Sequence, residues 1–155
     1  MEISIRQFKQ EDADTLHQVF YHTIRHVNCN DYSQAQVEAW APTDYDKTQW
    51  DKRIAEINPF VVEYEGVIVA YADIQPNGYI DHFFCHHQYQ GKGIARQLMQ
   101  HLHQQAKKMK LDKAFAHVSI TARPFFEKAG FCVVKAQQVS IRGQILTNYV
   151  MEKLL

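Results

Sequence analysis

The chain has 155 residues, 46% of them hydrophobic and 22% charged, with a formal net charge of zero. That composition supports one cored domain spanning residues 1–155 and excludes a disordered chain, a collagen-like repeat and a disulfide-stapled miniprotein. No apolar run reaches the ~20 residues that a bilayer span needs, the first residues lack a secretory signal, and three cysteines without CxxC spacing fit a reducing, cytoplasmic compartment.

Ile3, Ile5 and Phe8 predict a short first strand. Ala13, Leu16, Phe20, Ile24 and Val27 then recur at three- and four-residue steps, the period of an amphipathic helix. Ser33 can cap a second helix that runs to Trp40 and stops at Ala41-Pro42. A third helix is expected over Asp46–Ile57. Residues 60–74 read as two strands joined at Glu65-Gly66, and Pro76-Asn77-Gly78 as a turn into a β-rich run over Tyr79–His86.

After Gln90-Gly91-Lys92-Gly93, a long helix is expected with Ala95, Leu98, Met99, Leu102, Ala106 and Met109 on one face. Residues 114–120 form a buried strand, and Thr121 can cap a further helix that Gly130 ends. A closing hairpin is expected over Cys132–Ile141 and Gln144–Lys153. The order β-α-α-α-β-β-β-α-β-α-β-β is a mixed α/β layer structure.

The zero net charge hides a polarity. Residues 1–90 hold 14 acidic and 6 basic side chains, a balance of −8; residues 91–155 hold 3 and 11, a balance of +8. Mutual attraction of the halves is one reading. An anion held by the C-terminal half and a cation met by the N-terminal half is the other.

The glycines of Gln90-Gly91-Lys92-Gly93 stand between a strand and a long helix. There they let backbone N–H groups and the helix N-terminus approach a phosphate or diphosphate. Arg96 occupies the place of the third glycine of a dinucleotide fingerprint, and no Walker A loop is present. Gln90, Gly93 and Ala95 instead match the Q/R-x-x-G-x-G/A signature, so the segment resembles that of the GNAT superfamily of acetyl-CoA-dependent N-acetyltransferases. Residues 83–89, 122–131, 30–42 and 148–153 are similar to other parts of that family, in the same order.

The resemblance implies a mostly antiparallel central sheet, flanked by helices and splayed into a slot between Tyr79–His86 and Ala114–Ile120. Acetyl-CoA is the implied co-substrate, with its pantetheine arm against the backbone around Phe84 and Cys85. Gly91, Lys92, Gly93, Ile94, Ala95 and Arg96 follow Gln90 as the diphosphate seat, and a backbone N–H near Cys85 would face the thioester oxygen. Many relatives carry Tyr in the late helix as the acid for the leaving thiolate, where this chain has Phe126. Many carry Asn at the end of the preceding strand, where it has Ser119. Ser119 and Tyr149 are candidate substitutes.

Strand alternation puts Asp81 and His82 on opposite faces, so one of the two is expected to face the slot as base. Trp40, Trp50, Tyr32 and Tyr45 fall in the region that shapes the family's acceptor pocket. His82, Cys85, His86 and His87 are no metal cluster on this reasoning, because neighbours on a strand diverge. The cysteines read as small apolar filler. Lys107–Lys113 lacks interleaved aromatics, so no nucleic acid and no membrane partner is expected, and the chain is a monomer or homodimer. The expected function is acetyl transfer to a small-molecule or peptide amine. The alternative is a CoA-binding sensor that lost the acid.

Overall fold

The computed structural model describes residues 2–155. Its strands are β1 (Ser4–Gln7), β2 (Phe60–Tyr64), β3 (Val67–Ala72), β4 (Tyr79–Ile80), β5 (Phe83–Cys85), β6 (Lys113–Ser119), β7 (Cys132–Ile141) and β8 (Gln144–Leu154). The helices are α1 (Ala13–His26), α2 (Gln34–Trp40), α3 (Lys47–Ile57), α4 (Ile94–Lys108) and α5 (Arg123–Lys128). The helix starts follow local chemistry. Ser33 Oγ accepts the Gln36 N–H while Gln36 reaches back to Ser33 N, and Asp46 accepts the Gln49 N–H.

The strands form two four-stranded ladders, β1-β2-β3-β5 and β4-β6-β8-β7, all antiparallel except the β4–β6 pair. The run over Tyr79–His86 is therefore not one strand. It breaks at Asp81-His82, because the fully buried Asp73 carboxylate takes both of their backbone N–H groups, at 3.1 and 2.6 Å. Ile80 still pairs with Ala116 on β6, but Phe83 already pairs with Ala72 on β3. The sheet forks there.

Gly78 sets the apex of the fork. Its φ is +89°, and a Cβ on it would lie 2.1 Å from the Lys113 carbonyl oxygen, so only glycine lets this turn lie against β6. The main core lies between the ladders and α4, whose Leu98, Met99 and Leu102 are buried against Val62, Val69 and Met151. Met109, expected on that face, is instead exposed at the helix end. A second core, from Leu16, Val19, Ile54 and Tyr71, seats α1 and α3 on the other face. Cys85 is buried, but Cys132 is exposed, contrary to the filler reading.

Candidate active site

Two cavities meet at the fork. The first is a slot of about 150 Å³ between β5 and the end of β6. Past Ala116, β6 has no partner on its β5 side, since β4 ends at Ile80. On β5, the bonds Asp73 N–H to His82 C=O and His86 N–H to Val69 C=O fix the alternation of the ladder. Phe84 therefore turns its N–H and C=O to Tyr71, while those of Phe83 and Cys85 point into the slot. The Cys85 carbonyl is taken by Thr23 Oγ1 at 2.9 Å and by Gln90 Nε2 at 2.6 Å. Its N–H is left over.

The slot runs to the glycine loop. Gly91 and Gly93 have φ of +73° and +80°, and Gly93 is the N-cap of α4 with no side-chain cap. The first α4 bond is Gln97 N–H to the Gly93 carbonyl, so the N–H groups from Gly91 through Arg96 have no protein partner. Lys92 and Arg96 add positive charge and no acid stands in the first turn. Six unspent donors at a positive helix end are an arrangement that can seat an anion. Ile94 points into the core and Ala95 lines the slot.

The second cavity, about 240 Å³, lies behind the fork on the side of α1 and α2. The slot and this cavity share Phe83, Phe84, Ser119, Ala122 and Phe126. Neither Asp81 nor His82 lines the slot, which one of them was expected to face; both line this second cavity, because the break at these positions cancels strand alternation. Arg53 Nη2 pairs with Asp81 Oδ2. His82 Nδ1 is 2.9 Å from the Tyr71 hydroxyl, and Tyr71 is fully buried. That hydroxyl has no other partner, so it donates to Nδ1 and leaves the His82 Nε2 with its proton. Burial, with the nearby Arg53 guanidinium, pushes His82 down to about 3, so the ring is neutral at pH 7. Burial also raises Asp73 to about 6.

Ser119 sits where both cavities meet. Its Oγ accepts the Asn28 Nδ2–H at 3.3 Å and the Ala122 N–H at 3.0 Å, which fills both lone pairs and leaves the O–H to donate. Thr121, expected to cap α5, does not: the N-cap is Ala122, with no side-chain cap, and the Thr121 hydroxyl donates to Asp31. Phe126 is 3% exposed and packs on Phe83 and Phe131, with centroids at 5.8 and 5.1 Å. Tyr149 is not brought to either cavity; its ring lies under the Arg123 guanidinium at 4.5 Å. Tyr32 and Trp40 line the second cavity, but Trp50 donates its indole N–H to the Ala13 carbonyl and Tyr45 stacks on His17.

His86 and His87 do not diverge: β5 ends at Cys85, and the following turn stacks their rings at 4.6 Å beside His26. Among the described residues, no group of three or more His, Cys, Asp or Glu is arranged to hold a metal ion. Burial pushes the Cys85 thiol up to about 11, so it is no thiolate nucleophile. Sequence reasoning missed Thr23, Asn28, Arg53 and Asp73. Thr23 had a visible signal, a hydroxyl inside the apolar stripe of α1.

A family model described as Acetyltransferase (GNAT) domain matches residues 28–153. The chain belongs to the GNAT acetyltransferase family. It is 32% identical over 156 residues to the uncharacterized N-acetyltransferase YafP of Escherichia coli K12, covering 96% of this chain and 94% of that protein. Among solved structures, a GCN5-related N-acetyltransferase from Rhodopseudomonas palustris superposes with a TM-score of 0.95 at 28% identity, over 100% of this chain and 97% of that one. YncA from Salmonella typhimurium, solved with its cofactor acetyl-CoA, shares the fold with a TM-score of 0.70 at 18% identity, covering 100% and 95% of the two chains. The GNAT assignment accounts for the forked sheet and the glycine loop together.

Proposed function

We propose that this GNAT protein transfers acetyl from acetyl-CoA to a primary amine by direct attack on the thioester. The observation that carries this reading is the run of unpartnered N–H groups from Gly91 to Arg96, continuous with the open β5 edge. That the YncA structure of this fold was solved with acetyl-CoA supports the same choice of co-substrate. Bound acetyl-CoA supplies an activated acyl group on a thiolate leaving group. A bond forms from the amine nitrogen to the acyl carbon, the carbon–sulfur bond breaks, one proton leaves nitrogen and one joins sulfur.

Each demand has a residue. Gly91–Arg96 hold the diphosphate through N–H groups, with Lys92 and Arg96 adding charge, and Gln90 keeps the end of β5 in place through the Cys85 carbonyl. Phe83 and Cys85 pair the pantetheine arm as an added strand would. The Cys85 N–H faces the charge that develops on the thioester oxygen, and one such donor is worth ~2.7–4 kcal/mol. Ser119 gives a hydrogen bond from its free hydroxyl to the departing sulfur and relays to it a proton drawn from water, so the serine ends as it began.

On the acceptor side, Asp81 keeps Oδ1 free while Arg53 holds Oδ2, so it can take an ammonium hydrogen bond and pass the proton to water. His82 carries its Nε2 proton and orients rather than accepts. Desolvation among the rings lowers the pKa of the amine and so favours the attacking neutral form.

The second reading, a sensor that binds CoA without turnover, is favoured by Phe126 alone, a ring with no proton to give. Steady-state release of free CoA across a panel of amines separates the two. Amine-dependent release supports transfer; tight CoA binding with no release by any amine supports the sensor.

A further inference from the structure

The wall of the acceptor-side cavity is made of rings: Phe20, Tyr32, Trp40, Tyr79, Phe83 and Phe84. Several touch each other, with Phe20–Phe84 centroids at 5.2 Å and Tyr32–Trp40 at 5.6 Å. The Tyr32 hydroxyl is spent, since it donates to the Thr147 carbonyl at 2.7 Å and accepts the Ile120 N–H at 2.9 Å. Its ring, not its oxygen, is what a ligand meets. At about 240 Å³ the cavity is small beside the roughly 300–1,000 Å³ of sites for drug-sized ligands.

The polar inventory is lopsided. Asp81 is the one carboxylate in the lining, and no Lys or Arg lines it. The guanidiniums nearby are committed elsewhere: Arg53 to Asp81, Arg25 to the Ala41 carbonyl at 2.9 Å and Arg142 to the Ala39 carbonyl at 2.7 Å. Asn148, across from Ser119 on β8, keeps a buried Oδ1 with no hydrogen-bond partner. Ser119 and His82 supply neutral donors, but the wall holds no Lys or Arg; its charge is the Asp81 carboxylate, set beside the open Asn148 Oδ1 and π faces. Such a wall fits a ligand that brings its own N–H donors and one positive charge.

A ligand carboxylate would find no Lys or Arg to pair with here, and burying it unpaired is costly. A second ammonium would find no second carboxylate. Resting on the acetyltransferase reading, we propose that the acceptor is a small primary amine with a single positive charge on a flat aromatic body. α-Amino acids and polyamines are then poor acceptors of the same site.

The test measures kcat/KM by CoA release for 2-phenylethylamine, phenylalanine and putrescine, each with saturating acetyl-CoA. We expect 2-phenylethylamine to exceed both by about 100-fold or more, because the others leave a charge unpaired in the cavity. Trp40→Ala should raise KM for 2-phenylethylamine about tenfold, with acetyl-CoA affinity by calorimetry and thermal midpoint retained. Comparable or faster turnover of phenylalanine or putrescine overturns the aromatic-monoamine proposal and leaves acetyl transfer standing. No release with any amine, despite acetyl-CoA binding, overturns both. A folded Trp40→Ala enzyme with unchanged KM overturns the ring wall as the acceptor's seat. Calorimetric binding of 2-phenylethylamine to the CoA-loaded protein, lost in Trp40→Ala, supports the proposal without reference to turnover.

Discussion

The slot and the cavity meet at five residues, yet they are built from different materials. On the slot side the groups on offer are main-chain: N–H donors of Gly91–Arg96 and the free edge of β5. On the cavity side they are side chains drawn from α1, α2, β4, β8 and the kink at Asp81-His82. Backbone recognition depends on fold and on the absence of side chains, so it tolerates sequence change everywhere except at glycines. Side-chain recognition changes with each substitution. One fold can therefore keep one donor substrate while its acceptor varies.

The apex joins the two sides and should give the largest effect. Gly78→Ala forces a Cβ to 2.1 Å from the Lys113 carbonyl at φ +89°. Backbone strain alone is worth about 1–3 kcal/mol, and the collision adds to it. A fall of many degrees in thermal midpoint is expected, with loss of both acetyl-CoA and amine binding. Retention of either site in a folded variant would show that slot and cavity do not share this hinge.

Gly93→Asp tests the slot alone. A Cβ there meets nothing closer than Arg96 Nη2 at 3.8 Å, so the fold should survive the strain of φ +80°. The new carboxylate would compete for the free N–H groups and repel a diphosphate. Acetyl-CoA affinity should drop at least tenfold, or ~1.4 kcal/mol, by calorimetry. Unchanged affinity would move the diphosphate seat elsewhere.

Ser119→Ala tests the shared boundary. Loss of the free hydroxyl should lower kcat by ~10–100-fold with acetyl-CoA affinity nearly unchanged, at or just below the lower limit of the ~100–10,000-fold usual for acid–base help. Equal kcat would leave protonation of the sulfur to water.

The uneven legibility of the two sides has a physical cause. Gly91 and Gly93 announced the open loop before α4 because their type is dictated by local backbone geometry, and α1 and α4 were visible in the spacing of Leu16, Ile24, Leu98 and Leu102. The break between Ile80 and Phe83 was not visible, because its cause, Asp73, acts from β3 across a long loop. Without that contact, alternation put Asp81 and His82 on opposite faces. Tyr149, a candidate substitute for the missing acid, has a register opposite Val118 and lies under Arg123. Arg53 and Asn28 reach the site from distant helices, and no short-range pattern marks such contacts.

Titration sets a smaller effect that spans both sides. The folded protein holds His17 at about 4 and His82 at about 3, below their ordinary 6.5, chiefly by burial. Lowered histidines contribute stability that is present above pH 6.5 and is lost as pH falls towards those values. Asp73 opposes them: raised to about 6, it favours the folded state below pH 3.8 and loses that contribution as pH rises through 6. His86 and His87 are also lowered, by burial and by their histidine neighbours. The histidines outnumber the one carboxylate, so the urea midpoint should fall from pH 7.5 to 5. A midpoint that rose on acidification would mean that Asp73 dominates.

The smallest change expected is at Phe126. Its ring lines both slot and cavity and is packed by Phe83, Phe125 and Phe131. Phe126→Tyr adds one oxygen to a ring that lines both cavities. If Ser119 supplies the proton, a second hydroxyl adds little, and turnover should stay equal or rise by a few-fold at most. In a Ser119→Ala background the same substitution has a defect to repair, so kcat should recover part of the loss. That recovery would place Phe126 on the sulfur side of the boundary. A loss above about tenfold in the single variant, with acetyl-CoA affinity intact, would instead make Phe126 a wall of the acceptor cavity, since a full wall loses more from one added oxygen than a spare acid gains.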